Sequence, residues 1–419
     1  MDSKERNYIA YGLIDEVLRK GAYSTLELSK RIMMLPTEHD RAFVTRLFYG
    51  VLSKNITLEY ILQKLANKPP KKSVATIFKM GAYMLLYMSE PDYAVTDGMV
   101  DLTKRIGKKE VSGFINALLR KVKSVEFPID SGNVSQDYSV NYSCPKWIVE
   151  MIIRDYGKDF AKKFLSYTSN EKTHIRANLS QISTEELAQK LQGVERTKSG
   201  FYLTANEMQS LNKNEYFIQS LSSCIATEYY AHGVNENSNV LDLCSAPGGK
   251  AVYLAQLTSA NITACDIHPH RVDLINNYAK IAGVNITVRT NDATKFNLDF
   301  EQKFDTVICD VPCSGLGVMF SKPDILINKT QDDIVSLTKL QKQILATAQR
   351  YVKSKGVLCY STCTITKAEN EEIIDDFLQE HTNFEIEKCT QKYENGYVKL
   401  FPHTDNSDGF FVVRLRRKD

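Results

Sequence analysis

From Asn239 onward, short apolar runs alternate with segments of helical spacing, and that alternation limits what the chain can fold into more than any single residue does. NVLDLCS leads into a helix through Tyr253 and Leu257, and NITACDI into a helix from Pro269 to Ala282. ITVRTND and DTVICDV follow, the latter ahead of a long helix from about Asp332 to Val352. GVLCYST, a helix over Glu369 to Leu378, and FFVVRL close the series. Runs that are apolar throughout belong to strands covered on both faces, and strands separated by helices pair in parallel. The expectation is a doubly wound α/β domain, whose ligands bind beyond the carboxyl ends of the strands.

The remainder of the chain has other rhythms, and at 419 residues it exceeds one average core. Ile9, Leu13 and Val17 recur at helical spacing, as do Phe43, Leu47 and Val51, then Ile77, Met84, Leu85 and Met88, then Phe114, Leu118 and Val122. Breaks fall at Pro36, Pro69-Pro70 and Pro91, so residues 1–125 are expected to form an all-helical domain. Residues 126–143, around FPIDSGNVSQDYS, lack periodicity and read as a linker. Over 144–235 the helical WIVEMIIRDYG, FAKKFLSYT and capped STEELAQKLQ mix with strand-like THIRANLS and FYLTA. That suits a small α+β module and leaves 236–419 for the α/β domain.

No run of about 18 apolar residues occurs, and MDSKERNYIA lacks the basic-then-apolar order of a signal peptide. A cytoplasmic protein with no membrane partner is expected, and a monomer. Nine cysteines, mostly inside apolar runs, read as reduced thiols. The net charge of +3 is unevenly spread: residues 1–125 hold 21 Lys+Arg and 13 Asp+Glu, a sum of +8, leaving −5 for the rest. The excess sits in KPPKK (Lys68, Lys71, Lys72) and KRIGKK (Lys104, Arg105, Lys108, Lys109). Such clusters can be a solvated face and no more, yet an asymmetric basic module beside an enzyme also suits RNA phosphates. These residues are candidate RNA contacts, and Lys322 of SKPDI joins them.

In VLDLCSAPGGK, Gly248 and Gly249 let the backbone turn tightly from strand to helix, where the helix-opening amides can hold an anion. The absence of G-x-G-x-x-G counts against a dinucleotide. Asp266 ends the next strand, where an acid commonly bridges ribose hydroxyls, and Asp292 ends the third, near where an adenine amino group would lie. Either alone could be a helix cap; together they suggest a nucleoside pocket.

Cys313 in DVPCSG and Cys363 in YSTCT follow the ends of two apolar strands. A thiolate adds readily to an electron-poor carbon such as C6 of a cytosine ring, which makes C5 nucleophilic enough to take a methyl group from a sulfonium donor. Asp310, three residues before Cys313, could protonate or hydrogen-bond N3 of that ring. On residues alone, either cysteine could be the nucleophile. Cys309 with Cys313, and Cys359 with Cys363, also raise a metal reading. Structural zinc more often uses two-residue spacing in a loop, however, and Cys309 and Cys359 lie inside apolar strands, so no metal is expected. Amino-group methylation would call for an aromatic clamp after Asp-Pro-Pro, where here Cys313 follows Pro312. A catalytically silent RNA-binding protein would have no use for Asp310, Cys313 and Cys363 together.

LDLCSAPGGK, DVPCSGLGV, SKPDI and YSTCTITKAENE jointly resemble the RNA cytosine-C5 methyltransferase family, over essentially all of residues 216–417. YMSEPDYAVTDGMVDLTKRIG and GFINALLRKV are similar to the NusB-like RNA-binding module, and YSCPKWIVEMIIRDYG, with the only tryptophan, Trp147, resembles the segment between the two. That combination resembles the Sun/Fmu/RsmB branch, which methylates a cytosine of bacterial small-subunit ribosomal RNA. The resemblance implies an all-α NusB-like domain, a small α+β middle module and a Rossmann-like doubly wound methyltransferase domain. It also implies S-adenosylmethionine as cofactor, held by Cys244, Ser245, Ala246, Pro247, Gly248, Gly249 and Lys250, with Lys250 near the methionine carboxylate. Asp266 would take the ribose, Asp292 the adenine end and Arg271 a further cofactor contact, with Asp310 beside both donor and base. Cys363, in the T-C motif, would be the nucleophile, and Cys313 would assist product release; DNA cytosine methyltransferases instead put the nucleophile in a Pro-Cys motif. Two positions depart from the pattern: Ser245 stands where alanine is commoner, and Ser220 where an acid often follows Gln219. Another RNA such as transfer RNA, or a non-catalytic role in ribosome assembly, are the alternatives.

Overall fold

The computed structural model describes residues 2–168, 172–388 and 396–419. The chain forms two compact units, one of Met1–Tyr167 with Met319–Lys329, the other of Thr168–Val318 with Thr330–Asp419.

The first unit is helical. Its leading helices are Ser3–Lys20, Ser24–Ile32, Glu38–Ser53, Asn55–Leu65, Lys72–Tyr87, Asp92–Arg105 and Ser112–Leu119, with breaks at Pro36, Pro69-Pro70 and Pro91 as expected and others at Gly21, Lys54 and Gly107. Asp2 and Thr37 cap two of them, their side chains accepting from the backbone N–H of Lys4 and Asp40. Leu13, Leu47 and Ile77 are fully buried in one core, each such side chain contributing about 1.5–3 kcal/mol by leaving water. Phe114 departs from its expected place in that core and is 37% exposed.

Part of the expected linker is helix. Residues Val134–Tyr142 are capped by Asn133 and held through polar groups: Asp137 accepts from the Ser131 N–H at 3.0 Å, and Asn141 exchanges two hydrogen bonds with the Ile129 backbone. Its buried face includes Asp137 and Ser139, so apolar spacing could not reveal it. Helices Lys146–Tyr156 and Lys158–Leu165, read as opening the middle module, lie in this unit too. So does the stretch Met319–Lys329, where the Ser24 hydroxyl donates to Asp324 and Ile327 packs on the helical core.

The second unit holds two sheets. Strands β1 (Thr173–Ala177), β2 (Glu195–Arg196), β3 (Phe201–Leu203) and β4 (Tyr216–Ile218) pair antiparallel in the order β2-β3-β1-β4 over a small core that includes Ile175, Leu187 and Phe201. The large sheet comprises β5 (Asn239–Asp242), β6 (Asn261–Asp266), β7 (Thr287–Thr290), β8 (Phe304–Asp310), β9 (Val352–Thr362), β10 (Phe384–Ile386), β11 (Tyr397–Leu400) and β12 (Phe410–Arg417). Its order is β10-β12-β9-β8-β5-β6-β7, with β11 paired to β12. Successive residues of β8, Val307 and Ile308, enter different cores on the two faces, which is why this strand reads as apolar throughout.

The wholly parallel sheet expected from the alternation holds only from β7 to β9. β10, β11 and β12 run antiparallel at one edge. β12 follows β11 after only the short helix Pro402–Asp405, too little chain for a parallel crossover, so FFVVRL returns as a hairpin. Among the described residues, no helix is long and apolar enough to cross a membrane.

Candidate active site

The order of the sheet reverses at β5, which has β6 on one side and β8 on the other, and the motifs gather beyond the carboxyl ends of these strands. The turn after β5 is tied to both neighbours: Leu243 N–H donates to Ile308 O at 3.0 Å, and Ser245 N–H to Cys265 O at 2.8 Å. Gly248 has φ 107°, and a Cβ there would lie 3.2 Å from the Ile275 backbone, so only glycine lets the turn enter helix Gly249–Thr258 at this close approach.

In front of the turn lies a cavity of about 300 Å³, at the lower end of the small-molecule range. Cys244, Ala246, Asp266, Arg271, Asp292 and Asp310 line it, as do both cysteines, Cys313 and Cys363. Ser245, Pro247, Gly248 and Gly249 form the turn itself. Buried Asp266 pairs with Arg271 at 3.4 Å, and Arg271 also donates to Ala246 O, joining the second strand end to the turn. Asp292 accepts the Thr294 hydroxyl at 2.6 Å and pairs with Lys295 at 3.2 Å, and the Thr294 bond holds its carboxyl below the usual range. It is therefore a turn cap and a cavity wall together. Acids at two successive strand ends, beside a glycine cradle that a Cβ would fill, fit the nucleoside and carboxylate groups of S-adenosylmethionine.

Asp310 is held from two sides. Lys250 Nζ is 2.7 Å from its Oδ2, and the Ser361 hydroxyl donates to Oδ1 at 2.8 Å, with the buried Tyr230 hydroxyl 2.5 Å behind Ser361. Burial works to lower the Lys250 pKa, but the charge and hydrogen bond of Asp310, with smaller effects from Cys363 and Asp242, raise it, so the ammonium is secure. Asp242, at the end of β5, is pushed up to about 7 by burial, and the charge of Asp310 adds to the shift. Asp242, Ser361 and Tyr230 were not singled out in the sequence, although the first two lie inside the quoted motifs.

Parallel pairing sets Asp310 opposite Ser361, so the chains leaving β8 and β9 run level and bring Cys313 Sγ to 3.3 Å from Cys363 Sγ. The Cys313 thiol is pushed well up, first by its hydrogen bond to Cys363, then by burial and by the charges of Cys363 and Glu369. Cys313 therefore holds its proton more firmly than an ordinary thiol. Cys309 and Cys359 enter cores on different faces of the sheet, which separates them from any common metal with the pair. Among the described residues, no group of three or more His, Cys, Asp or Glu could hold a metal ion.

Gly317 fixes the loop beneath the thiols. Its N–H donates to Cys363 O at 3.0 Å and its carbonyl accepts from Gly409 N–H at 2.8 Å, while a Cβ there would fall 2.1 Å from Gly409 O and 2.7 Å from Cys363 O. Both clashing atoms are backbone. Gly317→Ala is expected to cost about 2 kcal/mol or more and to displace Cys363, read as a lower thermal midpoint with lost methylation in the protein that still folds.

The basic candidates lie in the helical unit. Lys68, Lys71, Lys72, Lys109 and Lys322 are exposed, and Lys108 half-buried. Lys104 pairs with Asp101 at 3.6 Å, and Arg105 pairs with Glu5 at 2.6 Å and lies 4.0 Å over the Tyr8 ring.

A doubly wound sheet opening at its switch point into such a cavity, beside a thiol pair and following a helical NusB-type bundle, defines the class: an RNA methyltransferase. Residues 230–416 match the family model described as 16S rRNA methyltransferase RsmB/F, and residues 5–124 match that of the NusB family. The probable ribosomal RNA small subunit methyltransferase B of Bacillus subtilis is 31% identical over 98% of both chains, and that of Synechocystis 28% over 98% of both. The solved structure of PH0851 shares the fold at TM-score 0.82 and 22% identity, covering 100% of this chain and 99% of its own. The chain belongs to the RsmB/F family of small-subunit ribosomal RNA methyltransferases.

Proposed function

We propose that this protein transfers the methyl group of S-adenosylmethionine to C5 of a cytosine in small-subunit ribosomal RNA, through a covalent bond between Cys363 and C6 of the base. The reading is carried by one observation, the two thiols 3.3 Å apart beside Asp310. S-adenosylmethionine supplies a methyl carbon made electrophilic by its sulfonium sulfur.

Cys363 attacks as the thiolate, favoured by the nearby Lys250 ammonium, while Cys313 keeps its own proton. Its lone pair forms the S–C6 bond, and the displaced C5=C6 pair is drawn toward N3, where Asp310 shares a proton. Lys250, 2.7 Å away, resupplies that carboxyl. Once C5 bears the methyl group, N3 hands its proton back to Asp310 and so to Lys250, the C5 hydrogen leaves as a proton to water, and the freed pair restores C5=C6. The C6–S bond breaks with its electrons on Cys363, which takes the Cys313 proton, and the thiols then re-equilibrate. The base must be unpaired or swung out, because attack at C6 needs access to a ring face. Lys68, Lys71, Lys72, Lys108, Lys109 and Lys322 would hold backbone phosphates with salt-dependent affinity. Lys104 and Arg105 would first have to leave their carboxylate partners.

Mapping 5-methylcytosine in RNA from cells with and without the protein tests the reading. A small-subunit cytosine should lose its mark when the protein is absent. A mark lost from transfer RNA would move the substrate and keep the chemistry; a methyl group on nitrogen or ribose would sink the chemistry.

A further inference from the structure

The motif YSTCTITKAENE contains an acid, Glu369, that the reaction above leaves unused. Glu369 is fully buried, and its carboxylate is ringed by donors. Oε1 accepts from the Ser314 N–H at 2.8 Å and from Gln341 Nε2 at 3.1 Å, while Oε2 accepts the hydroxyls of Ser314 at 2.6 Å and Thr366 at 2.9 Å. Ser314 directly follows Cys313, and its hydroxyl lies 2.7 Å from that of Thr364, which directly follows Cys363. Gln341 Nε2 also donates to Pro312 O at 3.0 Å, on the other side of Cys313. One carboxylate therefore grips the residues flanking Cys313 and, through Ser314, the residue after Cys363. Volume alone does not call for a carboxylate here, because glutamine would fill the same space. What glutamine lacks is acceptor capacity for four converging donors, since its amide nitrogen would turn N–H groups toward donors that need an acceptor.

We propose that Glu369 is a positioning residue of the thiol pair, holding Cys313 against Cys363 through Ser314 and Gln341 in the arrangement that product release needs. Its charge is also among the smaller influences that raise the Cys313 pKa. The inference rests on the reading of Cys363 as nucleophile and Cys313 as the group that aids release.

Glu369→Gln and Ser314→Ala, with Cys313→Ala as reference, test it in the full chain with small-subunit RNA and S-adenosylmethionine. Glu369→Gln should lower kcat about a hundredfold, leave KM for both substrates within a few-fold, and accumulate a covalent protein-RNA adduct on denaturing gels. Ser314→Ala keeps the backbone bond to Glu369 and should show the same adduct with a fall of about tenfold, the worth of one hydrogen bond. Parent-like turnover without adduct in Glu369→Gln overturns the proposal. A rise in KM for the donor with no adduct, the pattern of a merely structural residue, overturns it as well. If Glu369→Gln fails to fold, Ser314→Ala decides on the same two readouts. Should Cys313→Ala trap an adduct and neither other variant do so, only this proposal falls; should Cys313→Ala trap none, the reading of the thiol pair falls and this proposal with it.

Discussion

Cys363→Ala is expected to cut methyl transfer at least about a thousandfold, or about 4 kcal/mol of barrier, while the affinity for S-adenosylmethionine stays within a few-fold. C5 of an unmodified cytosine is a poor nucleophile that an adduct at C6 activates, and apart from the second thiol, Cys313, no side chain lining the cavity is suited to form one. The turn proposed to hold the donor, Cys244 to Lys250, hangs from β5 and is tied to β6 and β8, whereas Cys363 follows β9. Alanine leaves the Cys363 carbonyl to accept from Gly317, so the loop keeps its anchor. Labelled methyl incorporation and calorimetric titration of the donor separate the two quantities. If Cys363→Ala stays active while Cys313→Ala is dead and forms no adduct, the roles are exchanged, as in the Pro-Cys enzymes.

The legibility of this chain follows the range of its contacts. The helix Pro269–Ala282 was readable to the residue because its limits, a proline at the first turn and Gly283 beyond the end, are local. The strands β5, β6 and β8 are readable because burial on both faces places apolar residues at successive positions, as in Val240-Leu241 and Val307-Ile308-Cys309. The antiparallel edge was not, since β12 is as apolar as a parallel strand and only the short return from β11 sets its direction. The helix over Val134–Tyr142 escaped because side chains such as Asp137 and Asn141 satisfy it through polar contacts that have no period.

At the site the contrast is similar. Asp310, Cys313 and Cys363 are nameable because they sit at or just beyond the ends of two apolar strands, which parallel register sets side by side. The tie between Lys250 and Asp310 spans two elements far apart in sequence, so the motif around the glycine turn gives no sign of it. Lys104 and Arg105 looked free in a basic run, whereas folding sets Asp101 and Glu5 against them. Asp242 is buried by its neighbours rather than by its own segment, and nothing in LDLCS distinguishes it from a solvated acid.

Cys313→Ala is expected to do the opposite of the first variant: the reaction should start and fail to finish. Attack by Cys363 and transfer of the methyl group make no demand on Cys313, but the departing sulfur then lacks the proton that sat 3.3 Å away. A positioned proton donor contributes about a hundredfold or more to such a step, so the adduct should outlive a turnover and run with the RNA on a denaturing gel. It should form only with S-adenosylmethionine present in amounts that permit methylation, and digestion should leave 5-methylcytosine joined to the peptide containing Cys363. Because its hydrogen bond to Cys363 and burial raise the Cys313 pKa well above the ordinary thiol range, release in the parent should persist into alkaline solution, where a normal thiol would have lost its proton. The variant has no such proton to lose, and its slow release should follow the proton concentration of the solvent instead. The double variant Cys313→Ala with Cys363→Ala closes the argument: it should form no adduct at any pH, since the sulfur that would be trapped is gone, and an adduct there would mean that some other residue attacks the base.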